Sequence, residues 1–166
     1  MNSPRFLVLA LCAGFFVLLT SRALPPVVAS HFDGAGVANG FMSRHFYTWF
    51  MLAFVVGLPI LLVYVPSFVL RNQRTQFNLP NRDYWLAPER RQETVEFLCR
   101  HTARFGVLLL LLLCYVHWLV IQANAQVPPR LSSSWFIGGL AVFVVLCIAL
   151  IGALLGRFRK VPRDGA

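Results

Sequence analysis

The sequence predicts an all-α integral membrane protein with four transmembrane helices and both termini on the inner side, and three observations carry that reading. Apolar residues form four long blocks in a chain of 166 residues. They make up 58% of it, above the roughly 45–50% of ordinary globular domains. Of the 15 Lys and Arg residues, 12 fall on one side of the membrane if the blocks alternate across it. Cytoplasmic loops carry such an excess, so the termini are expected inside.

The elements follow in order, within a single membrane domain spanning 1–166. Spans are expected at about 6–24, 47–70, 105–121 and 135–156. A bilayer core of about 30 Å needs roughly 20 helical residues. The second and fourth blocks meet this easily, whereas the first and third need help from their flanks. The first block, behind Arg5, also fits the h-region of a signal peptide, with small residues at Val28-Ala29-Ser30 for cleavage. Pro25 and Pro26 argue against that site, and a retained helix is favoured. In the second span, Gly57, Pro59 and Pro66 predict a bend, because proline removes a backbone donor. Outer loops are expected at 25–46 and 122–134, an inner loop at 71–104 and a basic tail at 157–166 with a mobile end. Ser132–Ser134 are candidates to cap the fourth helix.

The inner loop has a turn around Asn81, then Pro88-Glu89 as a helix start. Val95, Leu98 and Phe105 form an apolar stripe from there, so an amphipathic juxtamembrane helix is expected to lie partly on the inner leaflet and to run into the third span. Glu89, Glu93 and Glu96 with Arg90, Arg91 and Arg100 have the spacing of surface ion pairs.

The first outer loop holds the strongest candidates for chemistry. Residues 27–32 alternate like a short strand, and Asp33-Gly34 and Asn39-Gly40 are both hairpin-turn dipeptides. The loop is therefore turn-rich, with a short hairpin as its compact form. His31, Asp33, Asn39, Arg44 and His45 are candidate ligand or partner contacts, because polar loops on a rigid scaffold are where binding occurs. Turn formation by Asp33 and Asn39 is the plainer role. Asn81, Arg82, Asp83, Tyr84 and Trp85 are the corresponding inner-loop candidates. His117 is the one histidine at membrane depth, where an ionisable group is either functional or a neutral imidazole bonded to a neighbouring helix.

Several classes lack support. The spans hold no Asp, Glu, Lys or Arg, which argues against a proton-coupled transporter or ion channel. No HExxH, nucleophile elbow, phosphate loop or CxxC pattern occurs, so no enzyme activity, metal or cofactor is expected. None of the four cysteines lies in an outer loop. The net charge of +9 flanks helices on the side where anionic lipid attracts it, and nucleic-acid binding is not expected.

Leu24-Pro25, His31-Phe32-Asp33, Gly36, Asn39-Gly40 and Ser43-Arg44, followed by a span with Gly57 and Pro59, resemble a bacterial membrane domain of unknown function. That domain also forms the N-terminal part of SdpI-like immunity proteins. The resemblance covers roughly residues 12–66 and implies a sensor- or immunity-like role, although the further spans of those proteins are not seen here. The expected function is thus a non-enzymatic, multi-pass protein of the inner or plasma membrane that binds a ligand or a membrane or secreted protein partner. The alternative is a small accessory subunit of a larger complex, packed through Gly138-Gly139, Gly152 and Gly156, with homo-oligomerisation open. An enzyme using His31, Asp33 and His45 is the least supported reading.

Overall fold

The computed structural model describes residues 3–72 and 78–160. It contains α1 (Ser3–Thr20, extended by a 3-10 turn at Ser21–Ala23), a hairpin of β1 (Val27–Phe32) and β2 (Ala38–Ser43), and α2 (Arg44–Leu52). A π turn at Ala53–Gly57 joins α2 to α3 (Leu58–Arg71); α4 (Arg82–Trp85), α5 (Pro88–Asn124) and α6 (Ser133–Arg159) follow. Four helical stretches are long and apolar enough to cross a bilayer: Pro4–Ala23, Arg44–Arg71, Pro88–Asn124 and Ser133–Arg159. Each reaches beyond the apolar block that predicted it or matches it closely, because helical hydrogen bonding continues into polar sequence where hydropathy stops.

The π turn has a local cause. Pro59 has no N–H for the Val55 carbonyl, and its ring crowds that carbonyl. One extra residue in the turn relieves this, and the Leu58 N–H bonds the Ala53 carbonyl five residues back. The expected irregularity thus takes the form of a π turn before Pro59, while Pro66 sits inside α3 without interrupting it; the turn packs on α1 and α5, with Val55 fully buried.

Helices α1, α2–α3 and α5 build the core. Ala10, Ala13 and Val17 of α1 meet Tyr47, Met51 and Val55, with Leu110 and Val120 of α5 closing the other side. Small residues let the backbones approach. A Cβ on Gly106 of α5 would run into Val63 and Phe6, so α5 meets α1 and α3 at that glycine. Helix α6 stands outside this core and packs along α5, where the Tyr115 ring lies over Gly139 and its hydroxyl donates to the Trp135 carbonyl (2.7 Å).

Helix α5 is unbroken for 37 residues, or about 55 Å at about 1.5 Å per residue. That exceeds the hydrocarbon thickness by a wide margin. Its polar first turns prolong the axis of the span. The continuity from Pro88 into the third apolar block is as the sequence led one to expect.

The tail also differs from expectation. Helix α6 runs on to Arg159, and Phe158 is 1% exposed, held edge-on to Trp85 and Phe97. A basic sequence concealed one aromatic residue that inserts into the base of the bundle. The predicted mobile end, 161–166, lies outside the described residues.

Candidate functional site

The hairpin is where the candidates converge. Its pairing runs from Val27↔Ser43 to Phe32↔Ala38, with irregularities on either side of His31. Val28 is buried in the helical core, and Phe32 and Met42 pack against it, so the sheet is seated directly on the helix ends. The opposite face of β2 exposes Asn39, Phe41 and Ser43 in strict alternation.

Asp33 is the turn former. Its Oδ1 accepts from the amides of Ala35 (2.9 Å) and Val37 (2.8 Å), and its own amide donates to the Val37 carbonyl (2.9 Å). Both bonds come from local backbone, as in an Asx turn. Asn39-Gly40 does not make a second turn; it lies inside β2, with Gly40 paired to His31. A Cβ on Gly40 would sit 2.7 Å from the His31 Cβ, so the strand irregularity at His31 demands glycine there. The dipeptide signal was correct about backbone need and wrong about the motif.

Three attachments hold the hairpin. Asn124, at the end of α5, donates through Nδ2 to the Ala29 carbonyl and accepts through Oδ1 from the Ala29 amide, both at 2.9 Å. It thereby supplies the pairing that the free edge of β1 would otherwise lack. Arg44 ties the base, donating from its guanidinium to the Leu24 carbonyl (3.1 Å) and from its amide to the Pro26 carbonyl (2.9 Å). At the tip, Gly36 has φ +78°, and its carbonyl accepts from the Leu131 amide at 2.9 Å. Any side chain on Gly36 would meet the Leu131 carbonyl. Ser132 occupies the N-cap position of α6 but makes no capping bond with its side chain, while Ser133 reaches the Gly34 carbonyl (3.4 Å). Ser43, in contrast, caps α2 by accepting from Phe46 (3.2 Å).

His31 and His45 are both exposed, and they lie on different elements. His45 is in the first turn of α2, edge-on to Trp49 at 6.1 Å. Among the described residues, no three His, Cys, Asp or Glu side chains converge on a point that could hold a metal ion.

Below the hairpin, His117 is fully buried between three spans. Its Nε2 is 2.9 Å from Thr20 Oγ1, and its Nδ1 is 2.9 Å from the Tyr47 hydroxyl. Thr20 gives its only proton to the Phe16 carbonyl at 2.6 Å. It must therefore accept from the imidazole, which makes Nε2 the protonated nitrogen and Nδ1 the acceptor for Tyr47. All three polar groups are satisfied, and all six Asp and Glu lie outside the apolar blocks. The imidazole acts as a neutral rivet between helices. Thr20 and Tyr47 were not singled out in the sequence, although each is a polar residue at the same end of its span as His117.

The inner-loop candidates serve packing. Asn81 adopts a left-handed conformation (φ 53°) and donates to the carbonyls of Phe158 (2.9 Å) and Arg159 (3.1 Å). Trp85 Nε1 donates to the Phe158 carbonyl (3.3 Å), and Thr94 donates to the Trp85 carbonyl (2.8 Å). Helix ends leave such carbonyls without intrahelical partners, and this loop satisfies them for α6. Tyr84 is covered by the Arg90 guanidinium at 4.0 Å. Arg157 pairs with Glu93 (2.6 Å) and lies over the Phe97 ring, while Arg100 pairs with Glu96 (3.5 Å). Arg82 and Asp83 form the first turn of α4 and are exposed.

Fold and site together define a class: a helical protein with four segments of membrane-spanning length and a β-hairpin clamped across one end. No family model matches the chain, and no curated protein or solved structure matches it.

Proposed function

We propose that this is a non-enzymatic, multi-pass membrane protein that binds a membrane or secreted partner through the hairpin on the outer face, with both termini inside. The observation that carries this reading is the fixed hairpin. Bonds from Asn124, Arg44 and the 131–133 segment hold it in place, yet it exposes His31, Asn39, Val37 (49% exposed) and Phe41 (58% exposed). Mixed aromatic and polar side chains on a pre-organised backbone lower the entropic cost of binding. Asp33 is engaged by the turn, which disfavours a catalytic role for it. The positive-inside distribution supports the sidedness. The resemblance to the N-terminal domain of SdpI-like proteins supports a sensor- or immunity-like task.

A membrane-impermeant thiol reagent should label Ala35→Cys in intact cells. A photo-crosslinker at Phe41 should give one discrete adduct, absent in the His31→Ala/Asn39→Ala double variant at unchanged expression and thermal stability. Labelling only after lysis, or an adduct indifferent to the double variant, would remove the basis of this reading.

Helix α6 favours a second reading, as a subunit of a larger membrane assembly. None of the residues in its most apolar window is buried, and Gly138, Gly152 and Gly156 have open space beside them. Gly139 is withdrawn from the expected packing stripe because Tyr115 covers it.

A further inference from the structure

A second feature at the hairpin end is unrelated to the exposed strand face. Where the 3-10 turn after α1 meets the first turns of α2, a cavity of about 490 Å³ opens to the side of the bundle. Its wall carries three basic side chains, Arg22, Arg44 and His45, and two hydroxyls, Ser21 and Thr48; Leu18 and Trp49 form its apolar part. Among the described residues, no carboxylate lines it and neither Arg22 nor Arg44 is in an ion pair.

The hydroxyls differ. Thr48 donates to the Arg44 carbonyl four residues back (2.8 Å), as Thr20, Ser67 and Thr102 do to theirs. Ser21 makes no such bond. It is 3% exposed, and its Oγ is buried with no hydrogen-bond partner. A buried polar atom without a partner is costly and calls for an explanation. Ser21 is also one of the residues that line the unneutralised basic cavity. The bond from Arg44 to the Leu24 carbonyl anchors one nitrogen of a guanidinium that has five donors in all.

We propose that this cavity binds a phosphate group, bonded by Arg22, Arg44 and Ser21, and that its occupant is the headgroup of an anionic phospholipid. Planar guanidinium groups match phosphate oxygens in pairs, and the Ser21 hydroxyl supplies the remaining donor. The lipid source follows from position. The cavity lies at the ends of two spans, and Leu18 (44% exposed) and Trp49 (60% exposed) continue from it onto the apolar flank, where an acyl chain would run. Tryptophan is enriched at that depth of the bilayer. The inference is independent of the hairpin's partner and of which side of the membrane the hairpin faces.

The test is native mass spectrometry of the full-length detergent-solubilised protein titrated with phosphatidylglycerol, phosphatidylcholine or inorganic phosphate. One saturable phosphatidylglycerol site is expected, preferred over phosphatidylcholine. Ser21→Ala and Arg22→Gln should each weaken it about tenfold, the scale of one charge-assisted hydrogen bond. Arg159→Gln, at the far end of the bundle, should leave it unchanged. Ser21→Ala should also leave the lipid-free unfolding midpoint unchanged or higher, since its hydroxyl has no partner to lose; a merely structural serine would lower it. Saturable inorganic phosphate binding that phosphatidylglycerol fails to displace would support the phosphate site and assign it to free phosphate. Phosphatidylglycerol binding that survives both variants, or an absence of saturable binding by all three probes, would overturn the proposal.

Discussion

Asn124, at the end of α5, ties β1 to the helices. Its carboxamide reproduces both hydrogen bonds of a neighbouring strand at Ala29, which is fully buried. Removing it leaves a buried amide and carbonyl unpaired, at about 1–3 kcal/mol each. Asn124→Ala should therefore lower the thermal unfolding midpoint and speed proteolysis between residues 33 and 37, with Asn124→Asp intermediate because it keeps the acceptor. Unchanged midpoint and cleavage would mean that the clamp is idle. At the same scale, sequence named His117 from its depth alone, and the structure supplies its partners. Thr20 and Tyr47 come from 97 and 70 residues away in the chain, a relation no local pattern encodes.

Among the elements, α6 is held at its two ends by different chemistry. Tyr115 fixes the hairpin end of the α5–α6 contact through Gly139 and the Trp135 carbonyl. At the other end, Phe158 is enclosed by Trp85 and Phe97, and its carbonyl accepts from both Asn81 and Trp85. Truncating a buried phenylalanine costs about 3–5 kcal/mol. Phe158→Ala is expected to approach that cost in chemical denaturation and to free the indole, seen as a red-shifted Trp85 emission once the other tryptophans are replaced. Phe158→Leu should recover much of the stability, as a partial refill of the site. If Phe158→Ala neither destabilises the protein nor shifts the emission, the aromatic cluster is not what anchors α6. The apolar lengths and the proline break were legible because each follows from local backbone chemistry. The continuity of α5 was legible too, from its helix start at Pro88 and the stripe that follows, whereas the anchor hidden in a basic tail depended on contacts outside its window.

For the whole molecule, the core comprises α1, α2–α3 and α5, and α6 adds an apolar surface that the chain itself does not cover. If the subunit reading holds, native mass measurement after mild extraction should show a stoichiometric assembly. Gly152→Leu and Gly156→Leu should dissociate it without unfolding the protein, because both glycines border open space. A clean monomer in mild detergent would leave the α6 surface to lipid.

The sequence by itself determined the number of helices of membrane-spanning length, the break before Pro59, the turn at Asp33 and the charge asymmetry behind the proposed sidedness. Each is a property of residues close together in the chain, set by hydropathy, a missing amide proton, an Asx turn or a local count of charge. Only the tertiary structure decided which candidates belong together. It assigned Asp33 and Asn81 to backbone support, separated His31 from His45, recruited Asn124 and Thr20, and left Ser21 unpartnered beside Arg22 and Arg44. The physical reason is that a buried polar atom must find its partner across helix boundaries, and packing alone determines which atoms meet there.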